Sequence, residues 1–221
     1  MLKKYISALL ACLLCVLSLS ACAPYSPPEP VLSQKKVDAL RDKYPIYPVA
    51  STGNVIIDTS VPVEEMAAHM ETAIYGKVLS ERKWKYVSMD GTDHPELEAK
   101  REIFTESAGE AVFLCYEMEV IRDAGGKYQP GDKVVFSISE VVEPTIPDFQ
   151  KGDALIFLGD YSSSMENALE NEVGTIFKGI YYVTPDGYAL STCGEEPQTR
   201  ASGMTADDCV DYLYHLTLQK E

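Results

Sequence analysis

The sequence has 221 residues and a formal net charge of −15, with 46% hydrophobic and 24% charged residues. Its first 21 residues contain Lys3 and Lys4 and no acidic side chain, so the remaining 200 residues carry −17. A surface this acidic repels phosphate backbones, which argues against a DNA or RNA partner. The length suits one globular domain rather than two.

The N-terminus has the three parts of a secretory signal peptide. Lys3 and Lys4 form a basic start, an apolar run covers residues 5–17, and small residues follow. The run is shorter than the roughly 20 apolar residues that a transmembrane helix needs. We therefore predict that residues 1–21 are a signal peptide that is removed by cleavage.

The end of this segment, Leu19-Ser20-Ala21-Cys22, resembles the bacterial lipobox. The resemblance implies that Cys22 is linked to diacylglycerol and becomes the first residue of the mature protein. Each buried CH₂ of an acyl chain contributes about 0.8 kcal/mol, so lipid on Cys22 anchors the domain to the extracytoplasmic face of the cell membrane. The alternative is ordinary signal cleavage nearby, without lipid.

A proline-rich segment follows the lipobox cysteine, with four prolines in residues 24–30. Such a composition favours an extended, solvated chain. We predict that residues 22–48 form the lipidated start and a tether that lifts the domain off the bilayer. A short polar helix is expected over 33–43, outside the core, and residues 49–221 are expected to form the single domain.

Alternating and helical apolar patterns predict the elements of that domain. Strands are expected at 54–58, 73–87, 111–122, 133–140, 154–158, 175–184 and 188–191. Gly76 marks a bend or bulge in the second of these strands. One helix is expected from the N-cap Ser60 to about residue 72, and another over 206–218 with Thr205 as its N-cap.

These elements predict a mainly β domain, a five- to six-stranded OB-like β-barrel with an N-terminal helix and a C-terminal helix. The ordered segments IYGKV at 74–78, CYEMEV at 115–120, PGDKV at 130–134 and KGDALIFL at 151–158 resemble a group of small exported bacterial proteins. Those proteins are similar to the OB-type barrel of metalloproteinase inhibitors and netrin-like modules. The resemblance covers about residues 60–192. Inhibition by a free amino-terminal cysteine does not carry over, because Cys22 is expected to hold lipid.

Three cysteines remain in the mature chain apart from Cys22: Cys115, Cys193 and Cys209. An exported protein can form disulfides, and the pair Cys193 and Cys209 is the most plausible bridge, although both can also remain thiols. Cys115 lies within an apolar strand, where packing is a better explanation than nucleophilic chemistry.

The residue types that commonly ligate metals are scattered along the sequence. His69, His94 and His215 have no partner at helical spacing and no cysteine pair nearby, so we expect no metal site and no cofactor. The loop 90–98 concentrates acidic side chains that could hold Ca²⁺ weakly, but its spacing does not match an EF-hand loop. A solvated acidic turn is the simpler interpretation.

Motifs for catalysis are weak. Two S-x-x-K matches occur, Ser33 with Lys36 and Ser80 with Lys83, but four-residue matches of this kind arise by chance and no companion motif follows. No nucleophile elbow, P-loop or dinucleotide fingerprint is present. We therefore expect no enzymatic activity.

Aromatic residues offer a binding function instead. The mature chain has thirteen tyrosines together with Trp84, which could stack on sugars or peptides across one face of the barrel. Neighbouring Tyr181 and Tyr182 must point to opposite faces, which leaves one ring available for exposure. The leading hypothesis is a non-enzymatic lipoprotein that binds a protein, peptide or glycan of the envelope. The alternatives are a cell-surface hydrolase, an inhibitor of one, or an accessory component of a transport or cell-wall assembly.

Overall fold

A computed structural model describes residues 25–47, 61–88, 110–161, 169–194 and 198–219. Several predicted features lie outside these ranges: the signal peptide, Cys22, the strand at 54–58, the N-cap Ser60, and the acidic loop 90–98 with His94. None of the helices within the described ranges is long and apolar enough to cross a membrane.

Two short helices precede the seven strands of the described chain, and a longer helix follows them. The helices are α1 (Gln34–Leu40), α2 (Val63–Ala67) and α3 (Ala206–Thr217), with 3₁₀ turns at Glu140–Thr145 and Gln198–Ala201. The strands are β1 (Thr72–Val78), β2 (Lys83–Ser88), β3 (Glu110–Asp123), β4 (Lys133–Ser139), β5 (Ala154–Asp160), β6 (Glu172–Val183) and β7 (Ala189–Ser191).

The seven strands form one sheet, in the order β1-β5-β6-β4-β3-β2, with β7 paired to β6. Because β1 also pairs with β3, backbone hydrogen bonds close a ring through β1, β5, β6, β4 and β3. Among the strand pairings of the described residues, β4–β6 is parallel and the others are antiparallel. The predicted mainly β domain with a C-terminal helix is confirmed.

The single strand predicted over 73–87 is wrong, because it is divided into β1 and β2. Both strands run antiparallel to β3, with Val78 opposite Met118 and Lys83 opposite Cys115. Between them the Glu117 N–H donates to Ser80 Oγ at 3.0 Å instead of to a paired strand. This side-chain bond interrupts the ladder, so β2 continues along β3 outside the ring.

Gly76 bends β1 as predicted. The register of β1 against β3 shifts between Tyr75 and Gly76, which is a β-bulge. A Cβ atom at Gly76 would lie 3.0 Å from the Glu119 carbonyl oxygen and 3.1 Å from Met118 Cε. Glycine allows β1 to approach β3 closely enough to close the ring.

Two apolar layers stabilise the sheet. All five ring strands send alternate side chains into an inner cluster that includes Ile74, Met118, Phe136, Phe157 and Ile180. An outer layer packs α2 and α3 against the opposite face of β1, β5 and β6, through residues that include Ala67, Ile156, Tyr181, Val210 and Leu213. Alternation along the strands assigns neighbouring residues to different layers.

The helices of the outer layer differ in how well the sequence predicts them. Thr205 Oγ1 accepts a hydrogen bond from Asp208 N at 3.1 Å, which confirms the predicted N-cap of α3. The helix predicted to end at 72 is shorter: α2 ends at Ala67, because Glu71 N already donates to Gly159 O at 2.8 Å. The chain has joined the sheet by that point.

Residues 25–47 form an N-terminal arm that packs on the domain instead of standing apart from it. The expectation that helix 33–43 lies outside the core is wrong, because Val37 of α1 is only 2% exposed and belongs to the inner cluster. Arg41 donates to the Ser191 carbonyl at 2.8 Å and to Ser202 Oγ at 3.3 Å. Tyr47 N donates to Thr192 O at 2.8 Å, so the arm is fixed along its length.

Candidate functional site

An open groove of about 790 Å³ lies at the end of the ring where β5 begins and β6 ends. We call it the rim groove. Its walls come from residues 42–47 of the arm, Tyr75 and Lys77 of β1, the loop 147–153, and residues 182–185. The volume falls within the range of small-molecule sites. Ile121 of β3 completes the lining. The groove exists because the arm packs beside the ring, so five segments distant in sequence form its lining.

Five aromatic side chains line the rim groove: Tyr44, Tyr47, Tyr75, Phe149 and Tyr182. The Tyr182 ring lies 5.4 Å from the Tyr44 ring at 57° and 6.4 Å from the Phe149 ring at 74°. These tilted contacts fix Tyr182 at the base of the groove. Tyr44, Tyr47 and Tyr75 are half-buried, so each keeps part of a ring open to solvent.

Burial keeps the Tyr182 and Tyr75 hydroxyls of the groove protonated at neutral pH. Burial raises the pKa of Tyr182, and the neighbouring Tyr47 and Asp153 add to this rise while Arg41 opposes it. Burial also raises the pKa of Tyr75, with Asp207 contributing. Neutral phenols can both donate and accept hydrogen bonds, which suits a polar, uncharged ligand.

Charged side chains of both signs stand around the aromatic rings. The lining includes Asp42, Lys43, Lys77, Asp148 and Asp153. Lys43 Nζ lies 5.2 Å from the centroid of the Tyr44 ring. Asp153 Oδ2 accepts from Gln150 N at 2.8 Å, which holds the turn that forms one wall. The mixture gives the groove no strong field of either sign.

A second groove of about 680 Å³ lies on the other side of Tyr44. It shares Lys43, Tyr44, Thr184 and Pro185 with the rim groove. The rest of its lining comes from Leu32 and α1 on one side and from Asp186 and Tyr188 on the other. The shared residues make a low ridge between two adjacent concave surfaces. An extended ligand could cross this ridge from one groove into the other.

The described lining of the rim groove contains no cysteine, histidine or serine. Its hydroxyl nucleophile candidate is Thr184, whose Oγ1 accepts from Tyr188 N at 3.1 Å within a turn. Nucleophilic catalysis requires a base within hydrogen-bond reach of the nucleophile. The geometry therefore provides stacking surfaces and hydrogen-bond partners rather than a catalytic pair.

The serine–lysine matches do not form a site. Ser80 Oγ donates to the Glu81 carbonyl at 2.9 Å and accepts from Glu117 N, while Lys83 Nζ pairs with the Glu117 carboxylate at 2.5 Å. Ser33 makes no capping bond to α1 through its side chain. Neither serine lines the rim groove.

The predicted Cys193–Cys209 disulfide is absent from the structure, in which all three described cysteines are buried thiols. Their positions are set independently, Cys193 by the end of β7 and Cys209 by α3, and both lie beside Tyr181. Burial raises the pKa of the Cys209 thiol. Burial also raises the pKa of Cys115, whose thiol donates to Ser137 Oγ at 3.8 Å. Buried thiols with a raised pKa are poor nucleophiles.

The described histidines lie apart. His69 is exposed after α2, and His215 on α3 stacks against Tyr25, with ring centroids 3.5 Å apart. The described part of the chain contains no group of three or more His, Cys, Asp or Glu residues placed to hold a metal ion.

Sequence reasoning identified tyrosine as the relevant residue type but not the residues that form the site. Tyr181 and Tyr182 point to opposite faces as predicted, yet both are buried, because α3 covers the outer face and the arm covers the rim. The sequence places Tyr44 and Tyr47 in the predicted tether, outside the domain. The proline at 45 between them was a usable signal, because it favours an extended segment that presents its rings to a surface.

No protein-family model matches the chain, and no curated protein matches it at a significant level.

Proposed function

We propose that this protein is a lipid-anchored envelope protein whose domain binds a neutral glycan in the rim groove and has no enzymatic activity. The anchor is the lipobox cysteine Cys22, on the extracytoplasmic face of the cell membrane. The single observation that carries the binding function is the groove of about 790 Å³ lined by five aromatic side chains. Aromatic linings with a few polar groups are typical of ligand sites.

We also propose that the domain is an OB-like β-barrel. The ring of five hydrogen-bonded strands, the bulge at Gly76 and the helix after the last strand support this assignment. In OB-folds one face of the barrel and its flanking loops bind oligosaccharides or oligonucleotides. The net charge of the chain disfavours the second class of ligand. Fold similarity alone is a weak argument for function, so the groove carries the proposal.

A glycan suits the rim groove better than a peptide does. Extended peptides commonly bind by adding a strand to an exposed sheet edge. The strand that carries Tyr75 and Lys77 is paired on both sides, with β3 and with β5. The arm contributes Tyr47, whose N–H already donates to Thr192 O. A ligand there is contacted mainly through side chains, as sugar rings stacked on half-buried phenols would be.

The hydrolase alternative finds less support. A glycosidase needs two carboxyl groups in separate acid and base or nucleophile roles. In the rim groove, Asp153 is bonded to the backbone of its own turn, and Asp148 Oδ1 accepts from Tyr116 OH at 3.2 Å. These bonds give two of the three groove carboxylates a role in holding the loop 147–153, which leaves Asp42 as the single remaining candidate in the lining. When the protein is incubated with an oligosaccharide that it binds, we expect no hydrolysis of the sugar chain.

The binding proposal is tested with a panel of neutral envelope oligosaccharides and a parallel panel of peptides. We expect oligosaccharide binding that weakens about tenfold in Tyr75→Ala, since one stacking contact is lost. Tyr86→Ala is the matched control, because Tyr86 is 62% exposed on β2 and does not line the groove. Binding by peptides alone, or equal weakening in both variants, would refute the assignment.

The anchor is tested separately by Cys22→Ala in the producing bacterium. We expect the variant to appear in the medium or as an uncleaved precursor, whereas the natural chain partitions with the membrane. Membrane partitioning that is unchanged by the substitution would show that Cys22 does not carry the anchor.

A further inference from the structure

The first part of the N-terminal arm runs along α3 in the opposite direction to the helix. Tyr25 stacks on His215 in the last turn of α3, at 3.5 Å between centroids and 20° between planes. Six and seven residues later, Val31 N and Leu32 N both donate to the Gly203 carbonyl, at 2.9 and 3.0 Å. Gly203 precedes the N-terminus of α3. The start of the arm is therefore held at the C-terminal end of that helix.

This docking limits how far the lipid can lie from the domain. Cys22 is three residues before Tyr25, and three residues of fully extended chain span at most about 10 Å. The tether predicted from sequence is far longer, because it assigns residues 22–48 to a free spacer. With Tyr25 fixed on His215, a lipid attached to Cys22 brings the bilayer surface to the end of α3.

The surface at this end of α3 is suited to a bilayer. Leu218, which follows the last turn of α3, is 60% exposed, and Tyr25 is 39% exposed. Leucine inserts its side chain among lipid acyl chains, and tyrosine favours the boundary between hydrocarbon and headgroups. Neither residue packs into the two apolar layers.

Arg122 of β3 offsets part of the acidic charge of α3, whose Asp207 and Asp211 side chains remain exposed to solvent. Arg122 of β3 binds Asp207 at 3.2 Å and Asp211 at 2.5 Å. Asp208 accepts from the Thr205 hydroxyl at 2.7 Å. The two ion pairs with Arg122 reduce the repulsion that these acidic side chains would feel beside anionic lipid headgroups.

We propose that the domain sets the C-terminal end of α3, with Tyr25 and Leu218, against the lipid bilayer, so that the docked arm fixes the orientation of the domain on the membrane. This inference rests on the proposed lipid at Cys22. It replaces a domain that stands off on a free tether with one held in contact at a defined face.

Brominated-lipid quenching of tryptophan fluorescence tests the contact. Trp84 is the sole tryptophan of the chain and lies on β2, opposite Leu114, eight residues along β3 from Arg122. The full chain is purified from membranes and reconstituted in phosphatidylcholine–phosphatidylglycerol vesicles with or without dibrominated phosphatidylcholine. In Trp84→Phe with Leu218→Trp we expect about twofold quenching, and in the natural chain little quenching of Trp84. Equal, weak quenching of both membrane-bound proteins would overturn the contact.

The role of the arm is tested in the same Leu218→Trp background. Tyr25→Phe keeps the ring that stacks on His215 and should keep the quenching, whereas Tyr25→Ser should lose most of it. Equal quenching in both variants would overturn the role of the docked arm in orientation. Recovery of the natural chain only from the soluble fraction would instead refute the lipid anchor on which the contact depends.

Discussion

The rim groove and a polar cluster around Asp123 both contain tyrosine hydroxyls and carboxylates. They differ in how many of these groups are hydrogen-bonded within the protein. The Asp123 carboxylate accepts from the hydroxyls of Thr72 and Tyr161, each at 2.5 Å, and from Tyr128 N at 2.9 Å and Gly125 N at 3.1 Å. Every lone-pair direction of this carboxylate is close to being occupied. The cluster joins the end of β3 to the start of β1 and to the residue after β5.

In the rim groove the tyrosine side chains use only part of their hydrogen-bonding and packing capacity within the protein. Tyr182 OH donates weakly to the Pro45 carbonyl at 3.4 Å, and Tyr75 is only half-buried. In the Asp123 cluster, burial and the bond to Asp123 raise the pKa of Tyr161, which is committed as a donor. Polar groups satisfied within the protein stabilise the fold, and those left partly open are available to a ligand.

The largest expected effect comes from opening the closed cluster. Asp123→Ala removes four hydrogen bonds to one carboxylate and takes the Asp123 acceptor from the Thr72 and Tyr161 hydroxyls and from Tyr128 N, while Gly125 N keeps its bond to Thr72 Oγ1 at 2.9 Å. We expect the free energy of unfolding to fall by about 3 kcal/mol. Urea unfolding measures this free energy. Asp123→Asn keeps one acceptor oxygen, so its stability should lie between those of the natural chain and Asp123→Ala. Stability unchanged in Asp123→Ala would show that the cluster does not hold the strands.

A second closed contact joins Lys85 of β2 to Glu172 of β6, both largely buried. Lys85→Met leaves the carboxylate with its bond from Leu169 N at 2.7 Å, so we expect a loss of about 2 kcal/mol, below the range for a fully broken buried pair. Urea unfolding of the double variant Lys85→Met with Glu172→Leu should recover most of this loss. No recovery would mean that Lys85 acts through packing alone.

The same pair makes stability depend on pH. Burial acts to raise the pKa of Glu172, but hydrogen bonds from Lys85, Leu169 N and Ser137 outweigh it, so the net pKa is lowered. A folded-state pKa below the unfolded value contributes stability above the unfolded pKa, and this stability is lost as pH falls through the folded pKa. Between about pH 5 and pH 2, Glu172→Gln should lose less stability than the natural chain. Parallel acid unfolding curves would contradict this.

A smaller effect is expected where the arm meets the core. Val37→Ala removes two methyl groups from a side chain that is 2% exposed, which should lower the free energy of unfolding by about 1.5 kcal/mol. Val31→Ala is the matched control in the same arm, because Val31 is 60% exposed. If denaturation midpoints shifted equally for the two variants, the arm would not be part of the folded unit.

Sequence patterns predicted the regular parts of the sheet well. Strands β3, β4 and β5 alternate or run apolar over their whole length, and Thr205 is followed by acidic residues that mark the start of α3. These signals are local, because the period of apolar residues and the capping side chain lie within a few residues of each other. Gly76 was also informative, because a bulge needs a small residue at one position.

The site could not be predicted because its lining comes from distant parts of the chain. In α1 only Val37 is fully buried, and Leu40 three residues later is the one apolar partner at helical spacing within a seven-residue helix. Two such positions are too few to establish a helical period. The sequence therefore predicts the arm to be a spacer, which places Tyr44 and Tyr47 outside the domain. The sequence after Asp123 predicts only a turn between two strands. The Asp123 cluster could not be predicted because the hydrogen-bond partners of Asp123, Thr72 and Tyr161, are tens of residues away in the chain.

The most direct test of the contrast between an open groove and a closed cluster is a map of where a ligand binds. Amide and aromatic NMR signals are followed while a neutral oligosaccharide that binds the protein is titrated in. We predict shifts at Tyr44, Tyr47 and Tyr75 with the signals of Asp123 and Tyr161 unmoved. Shifts centred on the exposed Trp84 and Tyr86 of β2, with the rim groove silent, would contradict the account.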